Sequence, residues 1–342
     1  MLELRNIKKY FNKGSASETI AIDDLTLQIN QGDFVTVIGG NGAGKSTLLN
    51  IISGSIESDS GLVLLNNNDI SFMSEHKRAP YFGRVFQDPM SGTAADMSIL
   101  ENLTIAYGRG RHRSLFKWFI QKKDKEYLIE QVKSLDLGLE NRIHEKVGLL
   151  SGGQRQALTL LMATIRQKPT HSTIKKDYVR FFDGDKKLAK EEVNCAFKEA
   201  NDTFKTKKKE INENKELSKE QNKVLIQEAK DELETKIDKF DVTKQILLLD
   251  EHTAALDPKT AQKVLDITER IVKENQLTTI MITHNMKDAI RYGNRLIMMS
   301  HGKVVVDVSG EEKQKLTIEK LLDMFVTNSQ NDMLADSAIF GD

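Results

Sequence analysis

The alternation of apolar and polar residues predicts a small antiparallel sheet at the start of the chain. Residues 2–7 and 19–29 alternate in short bursts, and glycine-containing turns separate the bursts. Such alternation is typical of strands that bury one face and expose the other. Residues 62–65 predict a further strand, and residues 296–300 and 304–308 predict a hairpin near the C-terminus.

Continuous apolar runs predict a second set of strands, which are buried on both faces. Residues 34–38, 246–249 and 278–283 form such runs, and residues 84–86 predict another short strand. Parallel strands that helices cover on both sides show this pattern, whereas half-exposed strands alternate. We therefore predict an α/β fold with a mixed sheet at its core.

Helical spacing of apolar residues predicts the elements between these strands. It recurs in residues 98–140, 151–165 and 264–273, and residues 317–325 predict a short closing helix. A basic and aromatic stretch at residues 109–123 interrupts the first of these segments. For that stretch, a short helix packed in a local core is favoured over a nucleic-acid contact, because large aromatic side chains are usually buried.

Length and composition limit the classes of protein that the chain can represent. It has 342 residues, which is enough for about two domains, and 50 basic residues balance 50 acidic ones. The balance leaves no overall field that would attract nucleic acid or an anionic membrane. The one cysteine, Cys195, cannot form an internal disulfide, and no apolar run approaches the length of a membrane span. The N-terminus lacks the pattern of a signal peptide, so we expect a soluble cytoplasmic protein that reaches a membrane only through a partner.

One glycine-rich motif carries the strongest chemical signal. Residues 39–47 read Gly-Gly-Asn-Gly-Ala-Gly-Lys-Ser-Thr and lie between a predicted strand and a predicted helix. In this context the glycines let backbone N–H groups converge on phosphate oxygens, and the helix N-terminus favours their negative charge. Lys45 can reach the outer phosphates and the Ser46 hydroxyl can bind Mg²⁺. The motif predicts a nucleoside triphosphate site, and a chance glycine-rich turn is strongly disfavoured.

Acidic residues and a histidine follow two of the buried strands. Asp250 and Glu251 come directly after the run at 246–249, and His284 comes after the run at 278–283. The carboxyl ends of such strands are where α/β sheets place ligands. We expect Asp250 to bind Mg²⁺ through water and Glu251 to polarise the attacking water, while His284 contacts the γ-phosphate. A histidine in that place is more often structural when it stands alone.

Three weaker signals each allow two interpretations. Ser151 and Gln154 fit a helix capping box, but the same helix N-terminus with its two glycines also fits a second phosphate site. Gln87 at a strand end is an ordinary polar terminus or part of the nucleotide site. Phe11, with Tyr10 as the alternative, is a core aromatic residue or stacks on a base.

Taken together, these motifs resemble the ATPase subunit of an ABC transporter over residues 1–167 and 245–325. The motifs stand in the order Walker A, Q-loop, signature, Walker B, D-loop and switch histidine. The resemblance implies catalytic roles for Glu251, His284 and Gln87, and metal ligation by Ser46, Gln87 and Asp250. The implied nucleotide-binding residues are Phe11, Gly39, Gly40, Asn41, Gly42, Ala43, Gly44, Lys45, Ser46, Thr47, Ser151, Gly152, Gly153, Gln154 and Asp257.

The resemblance also implies a fold, cofactors and partners. The expected fold is a P-loop NTPase of ABC type, with an antiparallel β subdomain and a helical signature subdomain at residues 88–160. The expected cofactors are ATP and Mg²⁺. In this family two subunits form a head-to-tail dimer, as a homodimer or with a paired ATPase subunit, on transmembrane permease subunits at the cytoplasmic face of the membrane. A solute-binding protein would take part indirectly, and no nucleic acid is expected.

A finer similarity concerns the transported solute. Residues 83–89 and 250–258 look like ATPases of importers assigned to aromatic amino acids, although His252 stands where the family usually has proline. We therefore expect an importer of amino acids or another small solute. The alternatives are soluble ABC ATPases of iron–sulfur assembly or of DNA maintenance, and a scaffold with a vestigial ATPase, against which the intact catalytic residues argue.

Residues 168–244 depart from the family pattern. They separate the signature helix from the Walker B strand, where the family has a short loop, and they are rich in Lys, Glu and Asn. Apolar residues recur at near-helical spacing in 188–204 and again in 224–240, and Ser218 with Gln221 can cap the second helix. We predict an inserted helical hairpin that points away from the nucleotide and leaves hydrolysis intact. The expected remainder is a C-terminal tail at residues 326–342.

Overall fold

The computed structural model describes residues 2–109, 122–165, 171–181, 185–214, 218–238 and 246–328. The chain divides into two compact units, one of residues 1–64, 69–167 and 245–342 and the other of residues 65–68 and 168–244. Within the described ranges, no helix combines the length and the apolar character that crossing a bilayer requires.

The strands and helices follow one another in a mixed order. The strands are β1 (Leu2–Phe11), β2 (Thr19–Ile29), β3 (Phe34–Gly39), β4 (Ser60–Leu65), β5 (Asn68–Asp69), β6 (Phe82–Val85), β7 (Ile246–Asp250), β8 (Thr278–Ile282), β9 (Arg295–Ser300) and β10 (Lys303–Ser309). The helices are α1 (Lys45–Ser53), α2 (Glu75–Arg78), α3 (Ile99–Tyr107), α4 (Lys122–Lys133), α5 (Gly152–Thr164), α6 (His171–Phe181), α7 (Lys186–Glu213), α8 (Lys219–Asp238), α9 (Pro258–Asn275), α10 (Met286–Arg291), α11 (Gly310–Gln314) and α12 (Ile318–Asn328).

The first sheet contains the alternating strands. Its order is β2-β1-β4-β5, and β1 pairs with β2 in antiparallel register from Leu2 opposite Ile29 to Phe11 opposite Thr19. The pairing is irregular between Leu4 and Tyr10, where the register shifts. The apolar residues of β2 that alternate with polar ones are buried, which confirms the prediction of half-buried strands.

The second sheet contains the continuous apolar runs, and the predicted functional residues follow its strands. Its order is β10-β9-β3-β8-β7-β6, in which every neighbouring pair except β10 and β9 is parallel. All residues of β8 are buried, as are the first four of β7, because helices cover both faces. Parallel strands end at one edge of the sheet, so the segments after β3, β6, β7 and β8 meet there. The α/β fold with a mixed sheet is confirmed.

A large apolar core joins the helices of this unit to the parallel sheet. Leu103 of α3, Leu128 of α4, Leu158 of α5 and Leu265 of α9 belong to one buried cluster with Leu249 of β7. Helices α3, α4 and α5 form the predicted helical segment around the signature residues. Most of the basic, aromatic stretch at 109–123, with its expected helix, lies outside the described residues.

The inserted segment forms a helical unit of its own. Helices α7 and α8 pair as the predicted hairpin, with Val193, Phe197 and Leu233 among its buried residues. Ser218 and Gln221 form the predicted capping box, since each backbone N–H donates to the other side chain at 2.9 and 3.2 Å. The start of the insertion, for which the sequence pattern predicted no helix, contains helix α6. It has 11 residues, with Ile174 buried and a few partly buried neighbours, so its apolar repeat is shorter than those of α7 and α8.

Smaller differences concern short elements and the C-terminus. The sequence pattern did not predict α2, α10 or α11, each of which has six residues or fewer. Helix α12 continues to Asn328, three residues beyond the predicted end at 325. The remainder of the expected tail, residues 329–342, lies outside the described residues.

Candidate functional site

The loop after β3 has the close packing that only glycine permits. A Cβ on Gly39 would lie 2.2 Å from the Met299 carbonyl oxygen. Gly44 has a φ of +95°, and a Cβ there would lie 2.3 Å from the carbonyl oxygen of Ala21. The loop is therefore held between β9 and β2. It continues directly into the N-terminus of α1, whose free N–H groups can bind an anion.

Lys45 occupies the inside of this loop. Its side chain is buried, and Nζ donates hydrogen bonds to the carbonyl oxygens of Gly39 at 2.8 Å and Gly40 at 2.9 Å. Burial lowers the pKa of Lys45, and the charges of Glu251 and Asp250 partly offset this effect. The ammonium group thus lies within the electrostatic reach of the two acidic residues that follow β7.

Asp250 presents its two carboxylate oxygens to different partners. Oδ1 accepts a hydrogen bond of 3.4 Å from the Ser46 hydroxyl, and Oδ2 lies 3.6 Å from Nη2 of Arg84. The contact with Ser46 joins the end of β7 to the first turn of α1. It brings together two oxygen donors of the kind that bind Mg²⁺.

Arg84 is a site residue that the sequence did not reveal. It lies on β6 opposite Leu248, and besides Asp250 it contacts the Asn50 amide oxygen at 2.6 Å. Its guanidinium carbon lies 4.7 Å from the centre of the Phe86 ring. An arginine inside an otherwise apolar strand was the available signal, because a buried charge needs a partner.

Glu251 and His284 form a close pair at the ends of β7 and β8. His284 Nε2 lies 2.6 Å from Glu251 Oε1. The two strands place Asp250 opposite Ile282, and the Glu251 N–H donates to the Ile282 carbonyl at 3.1 Å. Glu251 has a φ of +46°, a left-handed conformation that is unfavourable for a residue with a side chain.

His252, the next residue, is buried and uncharged at neutral pH. Its Nε2 lies 3.2 Å from the Thr268 hydroxyl on α9, and burial lowers the pKa of His252 to about 4. In the sequence, His252 was notable only because it stands where the family usually has proline.

Gln87 lies two residues beyond the end of β6, at the same sheet edge as Asp250. Its side chain is exposed, so it is available to a ligand. The preceding residue is fixed by the signature helix, because buried Gln156 donates to the Phe86 carbonyl at 3.4 Å. This contact was not predicted, since it joins segments 70 residues apart.

Phe11 ends β1 at the side of the sheet that borders the glycine loop. It is 38% exposed and pairs with Thr19, two residues before Ala21, whose carbonyl oxygen closely approaches Gly44. The ring is accessible, and Lys9 Nζ lies 5.7 Å from its centre. Tyr10 is the more enclosed of the two aromatic residues, and its N–H donates to Asp59 at 2.7 Å.

The signature residues form the capping box that the sequence allowed. Ser151 accepts from the Gln154 N–H at 3.3 Å, and the Gln154 side chain accepts from the Ser151 N–H at 3.2 Å. A Cβ on Gly153 would lie 2.2 Å from Thr260 Cγ2 in the first turn of α9, whereas one on Gly152 would lie 3.2 Å from Leu256 Cδ2. Gly153 thus permits the close contact between α5 and α9.

The signature residues have their own polar partners, which differ from those of the glycine loop. Across the described ranges, no hydrogen bond or ion pair joins Ser151, Gly152, Gly153 or Gln154 to residues 39–47. Asp257 caps α9, because its Oδ1 accepts from the Thr260 N–H at 3.1 Å, and hydrogen bonding by Thr260 lowers the pKa of this exposed carboxyl. Asp257 therefore lies beside the signature residues rather than beside Lys45.

The chain is similar to known proteins along most of its length. A family model described as ABC transporter matches residues 22–171. The chain is 34% identical over 326 residues to a tyrosine transport ATP-binding protein of Clostridioides difficile (strain R20291), covering 95% of this chain and 98% of that protein. It is 26% identical over 325 residues to a phosphonates import ATP-binding protein of Lactococcus lactis subsp. lactis (strain IL1403), covering 94% and 98%.

A solved structure with the same fold is a dimeric ATP-binding cassette in a post-hydrolysis state, bound to ADP and phosphate. Its TM-score is 0.58 at 22% identity, and the match covers 90% of this chain and 98% of that one. The fold, the assembled glycine loop with its acidic residues, and the identity to the C. difficile protein agree. The chain therefore belongs to the ATP-binding proteins of ABC transporters, and it binds and hydrolyses ATP.

Proposed function

We propose that the chain powers the uptake of an amino acid, or of a similar small solute, through a membrane permease. The observation that carries this proposal is the complete hydrolytic set at one sheet edge, with Lys45 beside Asp250 and Glu251 and with His284 bonded to Glu251. The C. difficile and L. lactis relatives bear names of transport and import systems and align along nearly their whole length. Such relatives do not favour the assembly or DNA-maintenance alternatives.

ATP binding follows from the glycine loop. Its backbone N–H groups and the N-terminus of α1 attract the phosphates, and Lys45 exchanges its two carbonyl acceptors for phosphate oxygens. Phe11 stacks on the adenine from the accessible end of β1. The contacts of the loop N–H groups and of Lys45 are stronger for a charged phosphate chain than for a neutral ligand.

The donor atoms near Ser46 fit Mg²⁺. Hydroxyl and carboxylate oxygens are its preferred ligands, and the Ser46 and Asp250 oxygens already face each other. Ser46, Asp250 and Gln87 would hold the ion, with water filling the remaining positions. When bound, Mg²⁺ neutralises charge on the phosphate oxygens.

Glu251 is the general base of the hydrolytic step in this proposal. It accepts a proton from the water that attacks the γ-phosphate, and His284 orients the carboxylate through their 2.6 Å contact and contacts the phosphate. Gln87 is the third catalytic residue and positions the water or the ion. General-base catalysis typically contributes about 10²–10⁴-fold.

The second half of each site comes from another subunit. Ser151, Gly152 and Gln154 lie at the N-terminus of α5, apart from the chain's own glycine loop, which supports a head-to-tail dimer in which they contact the partner's ATP. The solved cassette of the same fold is described as dimeric. The dimer is a homodimer or a pair with a second ATPase subunit, and its closure on ATP drives the permease.

A role in transport implies two further kinds of partner, a membrane permease and a solute-binding protein. The chain binds transmembrane permease subunits at the cytoplasmic face of the membrane as a peripheral protein, and a solute-binding protein delivers the cargo to the permease. Tyrosine and tryptophan are the first solutes to test, because the relative with 34% identity is named for tyrosine transport.

The test is purification of the tagged protein from gently solubilised native membranes, followed by reconstitution of what co-purifies in lipid vesicles. We expect a multi-span membrane protein in near-equal amount and uptake of labelled tyrosine or tryptophan when ATP is supplied on the side of the ATPase. A complex carrying Glu251→Gln is the matched control and should show no uptake. Recovery of soluble proteins or nucleic acid alone would contradict the transport proposal, and uptake of phosphonate alone would contradict the proposed cargo.

A further inference from the structure

The residue behind the proposed general base is anchored to a different element of the fold. His252 directly follows Glu251, and its side chain is 2% exposed. Its Nε2 lies 3.2 Å from Oγ1 of Thr268, a residue that is itself 1% exposed on α9. Neither side chain hydrogen-bonds to the glycine loop at residues 39–47 in the described part of the chain, so the contact acts through the backbone of Glu251.

The direction of this hydrogen bond is determined by the hydroxyl. Thr268 Oγ1 donates its single hydrogen to the Val264 carbonyl at 2.8 Å, one helical turn earlier. It is therefore the acceptor towards His252, whose Nε2 must carry the proton. The result is one neutral imidazole tautomer held in one orientation by α9.

The anchor matters because Glu251 has an unfavourable backbone conformation. Its φ of +46° is unfavourable for a residue with a side chain, so neighbouring contacts must hold it. On one side the Glu251 N–H donates to the Ile282 carbonyl at 3.1 Å, and the Glu251 carbonyl accepts from Ala254 at 3.0 Å. His252 supplies the third support, because its buried ring fixes the chain immediately after the strained residue.

The anchoring helix is firmly placed. Thr268 lies on the buried face of α9 with Leu265 and Ile271, which belong to the main core. The first turn of the same helix packs against Gly153 of the signature segment. A side chain that is hydrogen-bonded to Thr268 is therefore held in a fixed position relative to the core.

We propose that His252 is a positioning residue, whose hydrogen bond to Thr268 holds the Glu251 carboxylate in the orientation that meets His284. The proposal rests on the proposed role of Glu251 as general base. It predicts a loss in the rate of the hydrolytic step without a loss of ATP affinity, because neither His252 nor Thr268 contacts the phosphate-binding loop.

The test compares three variants of the full-length protein with the unmutated one. Thr268→Val keeps the shape but removes the acceptor, and Thr268→Ser keeps the hydroxyl. We expect Thr268→Val to lower kcat about tenfold or more with an unchanged KM for ATP, since small displacements of a reacting group cost that much. Thr268→Ser should retain most of kcat.

The double variant His252→Leu/Thr268→Val separates positioning from folding. Replacing both partners of a buried hydrogen bond by apolar groups leaves no unsatisfied donor, so its Tm should be closer to that of the unmutated protein than the Tm of Thr268→Val. Its kcat should remain low. An unchanged kcat in Thr268→Val, recovery of kcat in the double variant, or a parallel loss of ATP affinity would each overturn the proposal.

Glu251→Gln, measured in the same assay, distinguishes this inference from the function on which it rests. If Glu251→Gln abolishes hydrolysis while Thr268→Val does not affect it, the positioning role is wrong and the general base stands. If Glu251→Gln hydrolyses ATP at the unmutated rate, the general-base assignment is wrong, and the positioning role falls with it.

Discussion

Two buried cations lie at opposite ends of helix α1, and they differ in how completely they are satisfied. Lys45 at the N-terminus is 5% exposed and donates to two loop carbonyls. Arg78, which binds the last turn of the helix, is 2% exposed and donates to five carbonyls. Those acceptors are Ile51, Ile52 and Ser71 at 2.8 Å, Met73 at 2.7 Å and Ile70 at 2.6 Å.

The number of acceptors separates a structural cation from a functional one. The guanidinium of Arg78 has five N–H groups, so its five carbonyls use all of them. The carbonyls of Ile51 and Ile52 also carry the negative end of the helix dipole, which favours a cation there. Lys45 instead donates to two carbonyls of the glycine loop, which phosphate oxygens can replace. Burial alone therefore does not identify a functional charge.

The largest effect is expected from Lys45→Met. This variant removes the charge that meets the phosphates, and we expect ATP affinity to fall about 100-fold or more. The free energy of unfolding should be unchanged or higher, because the variant no longer buries an ammonium group at the cost of desolvation. Equilibrium binding of a fluorescent ATP analogue and denaturant unfolding measure the two quantities. A variant that lost stability in step with affinity would contradict a purely functional role.

The opposite outcome is expected from Arg78→Met. Five carbonyls would lose the Arg78 donor, and those of Ile51 and Ile70 would keep backbone donors from Gly54 and Met73. Each buried carbonyl left unsatisfied costs about 1–3 kcal/mol, so we expect a loss of at least about 3 kcal/mol in the free energy of unfolding. ATP affinity of the folded protein should change less than about twofold, since Arg78 binds the far end of α1. Arg78→Lys, which keeps the charge with fewer donors, should be intermediate. Stability equal to that of the unmutated protein would show that the shell of carbonyls is not stabilising.

The same contrast explains what the sequence could predict. Residues 39–47, the run at 246–249 and the acidic pair after it were recognisable because motif and strand are local, and parallel strands bring their ends together. Arg78 and Arg84 were not recognisable, because their contacts with α1, at Ile51, Ile52 and Asn50, join segments 26 to 34 residues apart. For Arg84 the local signal was a charge in an otherwise apolar strand, whereas Arg78 follows Glu75, His76 and Lys77 and has no such signal.

The inserted segment shows a similar limit. The long helices α7 and α8 have enough buried positions for their period to be visible, and the capping box at Ser218 marks the start of the second. Helix α6 has 11 residues, and Ile174 is the buried one among its described side chains, so packing rather than a long apolar repeat defines it. The contact between Gly153 and Thr260 was equally hidden, because a glycine in a recognised motif already had an explanation.

The most direct test of the account is sedimentation of the Glu251→Gln variant with ATP and Mg²⁺. The structure places Glu251 against His284 at the edge that holds Lys45, and the proposal makes it the base of hydrolysis within a head-to-tail dimer. We predict a dimer that retains unhydrolysed ATP, while the matched double variant Lys45→Met/Glu251→Gln stays monomeric. Hydrolysis by Glu251→Gln at the unmutated rate, with no ATP-dependent dimer, would contradict it.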